Sequence, residues 1–335
     1  MRNSHLGGIS LILLVFWLVC TAQIRQSGDP IVLTYPASWP KQQYEFSKNP
    51  LTRQGIELGR RLFYDPILSR DSTISCASCH LSFTAFAHVD HTLSHGIENR
   101  IGTRNALVLS NLAWSTYFMW DGAVQHLDFQ ALAPIAHPLE MDFSIEKVVQ
   151  RLNETKRYPM RFFQAFGDST ATGAAVLKAL AQFELTLVSA NSKYDRVKAG
   201  LDTFSDQEQN GYRLFQQNCA SCHAEPLFTH GSFEQNGLPI DTGLNDYGRV
   251  RISQNPVDTL KFKVPTLRNI EFSYPYMHDG RFRKLRDVIN YYAETNALKQ
   301  KIELTPNEKI DLLAFLFTLT DRDFLFNPTF GFPMD

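Results

Sequence analysis

Four of the chain's five cysteines stand in two copies of one pentapeptide, Cys76-Ala-Ser-Cys79-His80 and Cys219-Ala-Ser-Cys222-His223. Two thiols at this spacing add across the two vinyl groups of a single porphyrin, and the histidine that follows turns its imidazole to the iron. Zinc binding does not require histidine directly after both pairs, and a redox dithiol requires none. With 5 cysteines and 10 histidines in 335 residues, chance supplies on the order of 0.002 such pentapeptides. Two copies therefore indicate two sites of covalent haem c attachment.

The elements that must hold these sites also repeat. Gly59-Arg-Arg-Leu-Phe63 precedes the first pentapeptide and Gly211-Tyr-Arg-Leu-Phe215 the second, so a helix-compatible segment leads into each. The first copy has the longer gap, filled by residues 64–73. Between the copies, Ser144 is placed to cap a helix through Asn153, and residues 174–190 are apolar at helical spacing. After the second copy, residues 284–297 and 305–320 read as helices, the latter with a Thr305-Pro306-Asn307-Glu308 capping start. No convincing alternating strand is present. The expected fold is mainly α, in two domains divided near residues 200–205, a number that 335 residues also favour.

Composition narrows the class. Apolar residues at 44% and charged residues at 20% are ordinary for a folded chain, against wholesale disorder or many membrane spans. The formal net charge of −1 leaves no basic excess for nucleic acid. Arg2 precedes an apolar run from Ile9 to Cys20, shorter than the roughly 20 residues that span a bilayer, so residues 1–22 read as a secretory signal. Cleavage after Ala22 competes with a lipoprotein reading in which Cys20 carries the anchor, although Val19 is large for that position. Cys20 stands apart from the other four cysteines either way. The expected location is the periplasm, where thioether attachment occurs, with a lipid anchor as the variant. Residues 23–50, with Gly28, Pro30, Pro36, Pro40 and Pro50, read as a linker or extended arm.

From about Thr52 to Thr320 the sequence resembles the bacterial di-haem cytochrome c peroxidase and MauG family. The resemblance rests on residues 59–80, Gly102-Thr-Arg-Asn105, Trp120-Asp-Gly122, Leu267-Arg-Asn269 and Pro275-Tyr-Met-His-Asp-Gly280, in the family's order. It implies two cytochrome c-like domains facing each other, each with one covalently attached haem c. Residues 51–202 would carry the peroxidatic haem and residues 203–325 the electron-transfer haem, followed by a tail, 326–335. It also implies that Gln130 orients peroxide, that Glu140 moves its proton, and that Trp120 relays electrons between the haems. Without the resemblance, Gln130 and Glu140 read as helix-surface residues and Trp120 as core. Asn105, Ser273 and Pro275 match the family's calcium-binding positions, the last two through backbone carbonyls; Asn105 alone would read as a turn residue.

The sixth iron ligands divide the family. Tyr292 occupies the position where the peroxidases carry methionine and MauG carries tyrosine, a hard anionic donor that favours ferric iron. Tyr291 and Met277 compete with it, as does an ordinary packing role. Near the first haem, His95 lies close to the position of a histidine that caps the resting iron in the peroxidases, with His88 and His91 as neighbouring alternatives. His278 falls in a family landmark, whereas His126, His137 and His230 read as structural or exposed. The implied activity is reduction of hydrogen peroxide at the His80 haem, with electrons from a small c-type cytochrome or cupredoxin arriving through the His223 haem. The alternative is a MauG-like oxidation of a partner protein's side chain. A non-catalytic carrier or sensor is disfavoured by Gln130 and Glu140. Nucleic acid is not an expected partner, and a homodimer stays open.

Overall fold

The structure, a computed structural model, describes residues 28–295, 298 and 301–334. The signal segment and Cys20 lie outside them. The chain is largely helical. The first half holds α1 (Arg53–Tyr64), α2 (Cys76–Cys79), α3 (Leu127–Gln130), α4 (Leu132–Ala136), α5 (Ile145–Glu154), α6 (Pro159–Phe166) and α7 (Gly173–Leu185). There follow α8 (Lys193–Lys198), α9 (Asp206–Asn218), α10 (Val250–Ser253), α11 (Leu285–Glu294), α12 (Pro306–Phe317) and α13 (Arg322–Leu325). Among the described residues, the one sheet is a two-residue antiparallel pair, Phe233–Glu234 with Phe262–Lys263.

Local signals in the sequence set the helix ends. The Thr52 hydroxyl accepts from the Gly55 N–H to start α1, Ser144 caps α5 through the Lys147 N–H, and Thr172 caps α7 through the Ala175 N–H. Reciprocal capping boxes, Ser205 with Glu208 and Thr305 with Glu308, start α9 and α12. Helix α7 ends at Leu185, short of the apolar run's end at residue 190, because Thr186 turns its hydroxyl onto the Phe183 carbonyl. Helix α11 begins one residue later than its pattern and ends at Glu294.

The two helix pairs that organise the chain are α1 against α7 and α9 against α12. Each crosses at the glycine of the repeated motif. A Cβ on Gly59 would stand 1.9 Å from the Ala179 carbonyl oxygen, and one on Gly211 would stand 1.9 Å from that of Asp311. Only hydrogen fits there, so the backbones approach closely, and the Leu and Phe three and four residues later are driven into the core. Leu62, Phe63 and Phe215 are fully buried or nearly so, each contributing about 1.5–3 kcal/mol from burial. One core gathers on α1 and α7 with Phe86 and Phe183, the other on α9 and α12 with Phe228 and Phe315.

Segments near both ends of the described residues pack on the first core. Trp39, from the segment read as an arm, is buried in it beside Leu51, as are Phe324 and Leu325 of α13. Arg60 and Tyr64 then bind the carbonyls of Gly331 and Phe330. The Leu267-Arg-Asn269 motif ties the halves together. Arg268, fully buried, donates to both Asp195 oxygens at 2.8 Å and lies over the Trp39 ring at 4.6 Å. Asn269 donates to Ser189 and accepts from the Asp321 N–H.

Replacing Gly59 or Gly211 by valine should force apart the backbones it separates and lower stability by about 1–3 kcal/mol. Thermal unfolding of each variant tests this, and a wild-type midpoint would show that the crossings yield more easily than their contacts imply.

Candidate haem-binding sites

At the first attachment motif, α2 places Cys76 and Cys79 on one helical turn, and His80 caps its end with its N–H on the Cys76 carbonyl. The His80 Nδ1 lies 2.6 Å from the Phe86 carbonyl oxygen. Carrying the proton there leaves Nε2 free as a donor to a metal. Burial pushes the His80 pKa down to about 4, so the ring is neutral and fit to ligate. At the second motif, Cys219 ends α9 directly and the His223 Nδ1 faces the Phe228 carbonyl at 3.2 Å. Burial pushes His223 to about 4 as well. The thiols move the other way: burial raises Cys76, lifts Cys79 to about 11 and Cys219 to about 12. Thiols so raised are poor redox nucleophiles, against the dithiol reading.

A narrow cleft opens beside the first motif. Its walls bring together Cys76, Cys79, His80, His95, Gln130 and Glu140. Burial raises the pKa of Glu140, and His137, 3.9 Å away, opposes the shift. The Gln130 amide is 3.7 Å from the Met119 sulfur. The His95 ring stacks on His91 at 3.9 Å and meets the Asn99 side chain at 3.1 Å, while His88 and His91 do not line the cleft. These residues fit a covalently held haem: Cys76 and Cys79 would tether it and His80 would bind its iron, with Cys219, Cys222 and His223 as the second set.

Trp120 is buried where the two halves meet. Its indole N–H donates to the Asn105 carbonyl at 2.8 Å, its own carbonyl accepts from the Lys263 N–H at 2.7 Å, and its ring meets His278 edge-on at 6.4 Å. The Asn105 carboxamide converges with the carbonyl oxygens of Pro275, at 2.5 Å, and Met277, at 3.3 Å. Ser273 has no hydrogen bond to this cluster among the described residues. An amide and backbone carbonyls suit a hard cation. Among the described residues, no three His, Cys, Asp or Glu side chains are grouped to hold a metal ion.

Near the second motif, the Tyr292 hydroxyl lies 3.9 Å from the Met277 sulfur, and the Asn236 amide is 3.6 Å from the same sulfur. Burial raises the Tyr292 pKa, and the charges of Cys219 and Cys222 add to it, so the phenol stands near that attachment pair. Tyr291 instead bonds the Asn236 carbonyl and meets Phe282.

Three features escape a reading of the sequence. Glu184 of α7, only 4% exposed, lines the first cleft; the signal for it is an acid inside an otherwise apolar helical run. His137, read as structural or exposed, faces Glu140. Arg104, from the Gly102–Asn105 motif, binds Asp121 of the Trp120 motif at 2.7 Å and both oxygens of Asp246 at 2.6 and 2.9 Å.

Proteins of known family resemble the chain in sequence and in structure. The family model described as di-haem cytochrome c peroxidase matches residues 53–203. The methylamine utilization protein MauG of Methylorubrum extorquens is 36% identical over 290 residues, covering 81% of this chain and 79% of its own. Cytochrome c551 peroxidase of Nitrosomonas europaea is 35% identical over 269 residues, covering 79% of each chain. A solved MauG-like protein associated with microbial copper homeostasis matches with a TM-score of 0.82 at 31% identity, over 90% of this chain and 99% of its own. The chain belongs to the di-haem cytochrome c peroxidase and MauG family. It is accordingly an oxidoreductase of cytochrome c peroxidase type that uses haem c.

Arg104→Met should strand the Asp121 and Asp246 carboxylates, costing about 3 kcal/mol in denaturant unfolding. Burial works to raise the Asp246 pKa, but Arg104 outweighs it and the net shift is downward. The pair therefore contributes fully at neutral pH, and its contribution fades as pH falls through the carboxylate range. Stability of the variant should be less sensitive to acid than that of the wild type. Identical pH dependences would deny the pair this role.

Proposed function

We propose that the chain reduces hydrogen peroxide at the His80 site, with electrons entering at the His223 site and crossing by way of Trp120. The reading makes residues 51–202 and 203–325 two facing cytochrome c-like domains. The observation that carries it is the convergence of Glu140 and Gln130 on the cleft that also holds Cys76, Cys79 and His80. When bound, the haem supplies an iron site for peroxide and one-electron chemistry. Glu140 takes a proton from one peroxide oxygen and returns it to the other, so that water leaves. Burial raises its pKa, which suits a group that must both accept and release a proton. The Gln130 amide orients the peroxide by donating a hydrogen bond. Trp120 offers a large oxidisable indole, fixed at both its N–H and its backbone carbonyl, where the halves meet.

The overall reaction takes one peroxide, two electrons and two protons to two waters. A small c-type cytochrome or cupredoxin in the periplasm is the electron donor in this reading. A calcium ion held by Asn105 and the carbonyls of Pro275 and Ser273 would brace the seam beside Trp120. Glu140→Gln should abolish peroxide reduction while both haems stay attached and reducible. Undiminished turnover would sink the assignment.

A second reading, MauG-like oxidation of a partner protein's side chain, is favoured by Tyr292. A phenolate ligand favours ferric iron and lowers the potential, whereas a thioether favours ferrous iron. Electron paramagnetic resonance of the resting ferric protein should then show one high-spin signal and one low-spin signal of His/Tyr type, and Tyr292→Phe should remove the latter. Two low-spin haems, one of them His/Met, would give the site to Met277 and leave the plain peroxidase. Peroxide added without reductant tests whether His95 closes the first iron.

A further inference from the structure

We propose that Tyr194 and Tyr212, two phenols that share the Glu225 carboxylate, form a proton-coupled electron relay from the second attachment site to the surface, where small phenols are oxidised. The relay rests on the peroxide reaction proposed above, because peroxide supplies the oxidising equivalents that a tyrosine requires. Tyr194 of α8 is 2% exposed, and Tyr212 of α9 is half-buried. The Tyr194 hydroxyl donates to Glu225 Oε2 at 2.5 Å, and the Tyr212 hydroxyl donates to the same oxygen at 3.1 Å. Lys198 Nζ and Gln216 Nε2 donate to the Tyr212 oxygen at 2.6 and 2.9 Å. With its oxygen so engaged, the single phenolic proton of Tyr212 is left to the carboxylate.

The contacts continue inward to the histidine of the second motif. The Tyr194 ring meets the Phe228 ring edge-on at 4.7 Å and the Tyr212 ring at 6.4 Å. The Phe228 carbonyl oxygen lies 3.2 Å from His223 Nδ1. Tyr212, Tyr194, Phe228 and His223 therefore form a chain with a ring or hydrogen-bond contact at every step. At its outer end the Lys198 side chain is 46% exposed, and its ammonium lies 3.3 Å from the Glu225 carboxylate and 4.7 Å from the centre of the Tyr212 ring. Burial raises the pKa of both phenols, with Glu225 adding to the rise and Lys198 opposing it at Tyr212. Each phenol thus gives up its proton together with its electron.

The chemistry balances one electron at a time. Reduction of one peroxide leaves the two sites two electrons short. Tyr194 passes an electron by way of Phe228 to the His223 site and its proton to Glu225. Tyr212 then passes an electron to Tyr194, which recovers the proton from Glu225 as Tyr212 delivers its own to the same oxygen. A phenol at the surface gives an electron to Tyr212, Glu225 returns the proton to that residue, and the phenol's proton goes to solvent. Two such passages restore both electrons. One peroxide and two phenols become two waters and two phenoxyl radicals.

The test uses the haem-loaded protein. Hydrogen peroxide added without reductant, followed by rapid freezing, should give the narrow paramagnetic resonance of a tyrosyl radical. Tyr194→Phe and Tyr212→Phe keep the ring contacts and should each lower its yield, and the double variant should remove it. Glu225→Gln keeps an acceptor oxygen but takes no proton, and should slow radical formation on the order of a hundredfold. Peroxide-driven oxidation of guaiacol should fall with the signal, while peroxide reduction by a reduced c-type cytochrome keeps the wild-type rate. Absence of the radical in wild type that consumes peroxide, or an undiminished signal in the double variant, would overturn the relay. A flash-generated ruthenium(III) oxidant tests the chain without peroxide: it should oxidise the reduced second haem more slowly in the double variant, and equal rates would also overturn the relay. Peroxide left unconsumed by a wild type that passes the flash test would instead defeat the reaction assigned to the first cleft.

Discussion

Both attachment motifs hang from helices packed so closely that only a hydrogen atom separates a glycine Cα from the facing carbonyl. This contact at Gly59 and again at Gly211 is the constraint on which the remaining geometry depends. It sets the depth to which Phe63 and Phe215 enter their cores, and each core then seats the loop after its motif through Phe86 or Phe228. Those two residues also present the carbonyls that receive His80 and His223. Helix packing is thereby converted into imidazole orientation: the crossing positions the phenylalanine, and its carbonyl positions the ring.

Burial then decides protonation. The same dry surroundings keep both imidazoles uncharged and their neighbouring thiols protonated, while raising Glu140 and Glu184. Two of the partly or fully buried arginines are paired: Arg268 with Asp195 and Arg104 with Asp121 and Asp246. The Arg268–Asp195 and Arg104–Asp246 pairs join segments distant in sequence, so their worth lies in fixing one half against the other more than in net stability.

Much of this was legible in the sequence, and the reason differs by element. Helices α5, α9, α11 and α12 were readable because each begins at a local capping signal or an unbroken apolar stripe. The thiols and histidines were readable because their spacing is dictated by the porphyrin. Helix α7 stopped early because a threonine hydroxyl competes for the last carbonyls. The packed state of the segment around Trp39 was not legible, since its prolines advertise a loop while its aromatic contacts come from residues far along the chain. Glu184 was hidden for a related reason. An acid in a mostly apolar run marks its position, but what faces it across the cleft is not encoded along α7.

The two halves share a scaffold yet surround their motifs with different chemistry. Carboxyls and an amide converge beside His80, groups that hold and move protons. Beside the second pair stands the Tyr292 phenol, with the Met277 thioether 3.9 Å from it and the Asn236 amide directed at the same sulfur. A phenol and a thioether tune a metal's potential but do little for proton transfer at neutral pH. Such asymmetry fits the proposed division between bond-breaking and electron entry, and Trp120, anchored to both halves, occupies the seam between them.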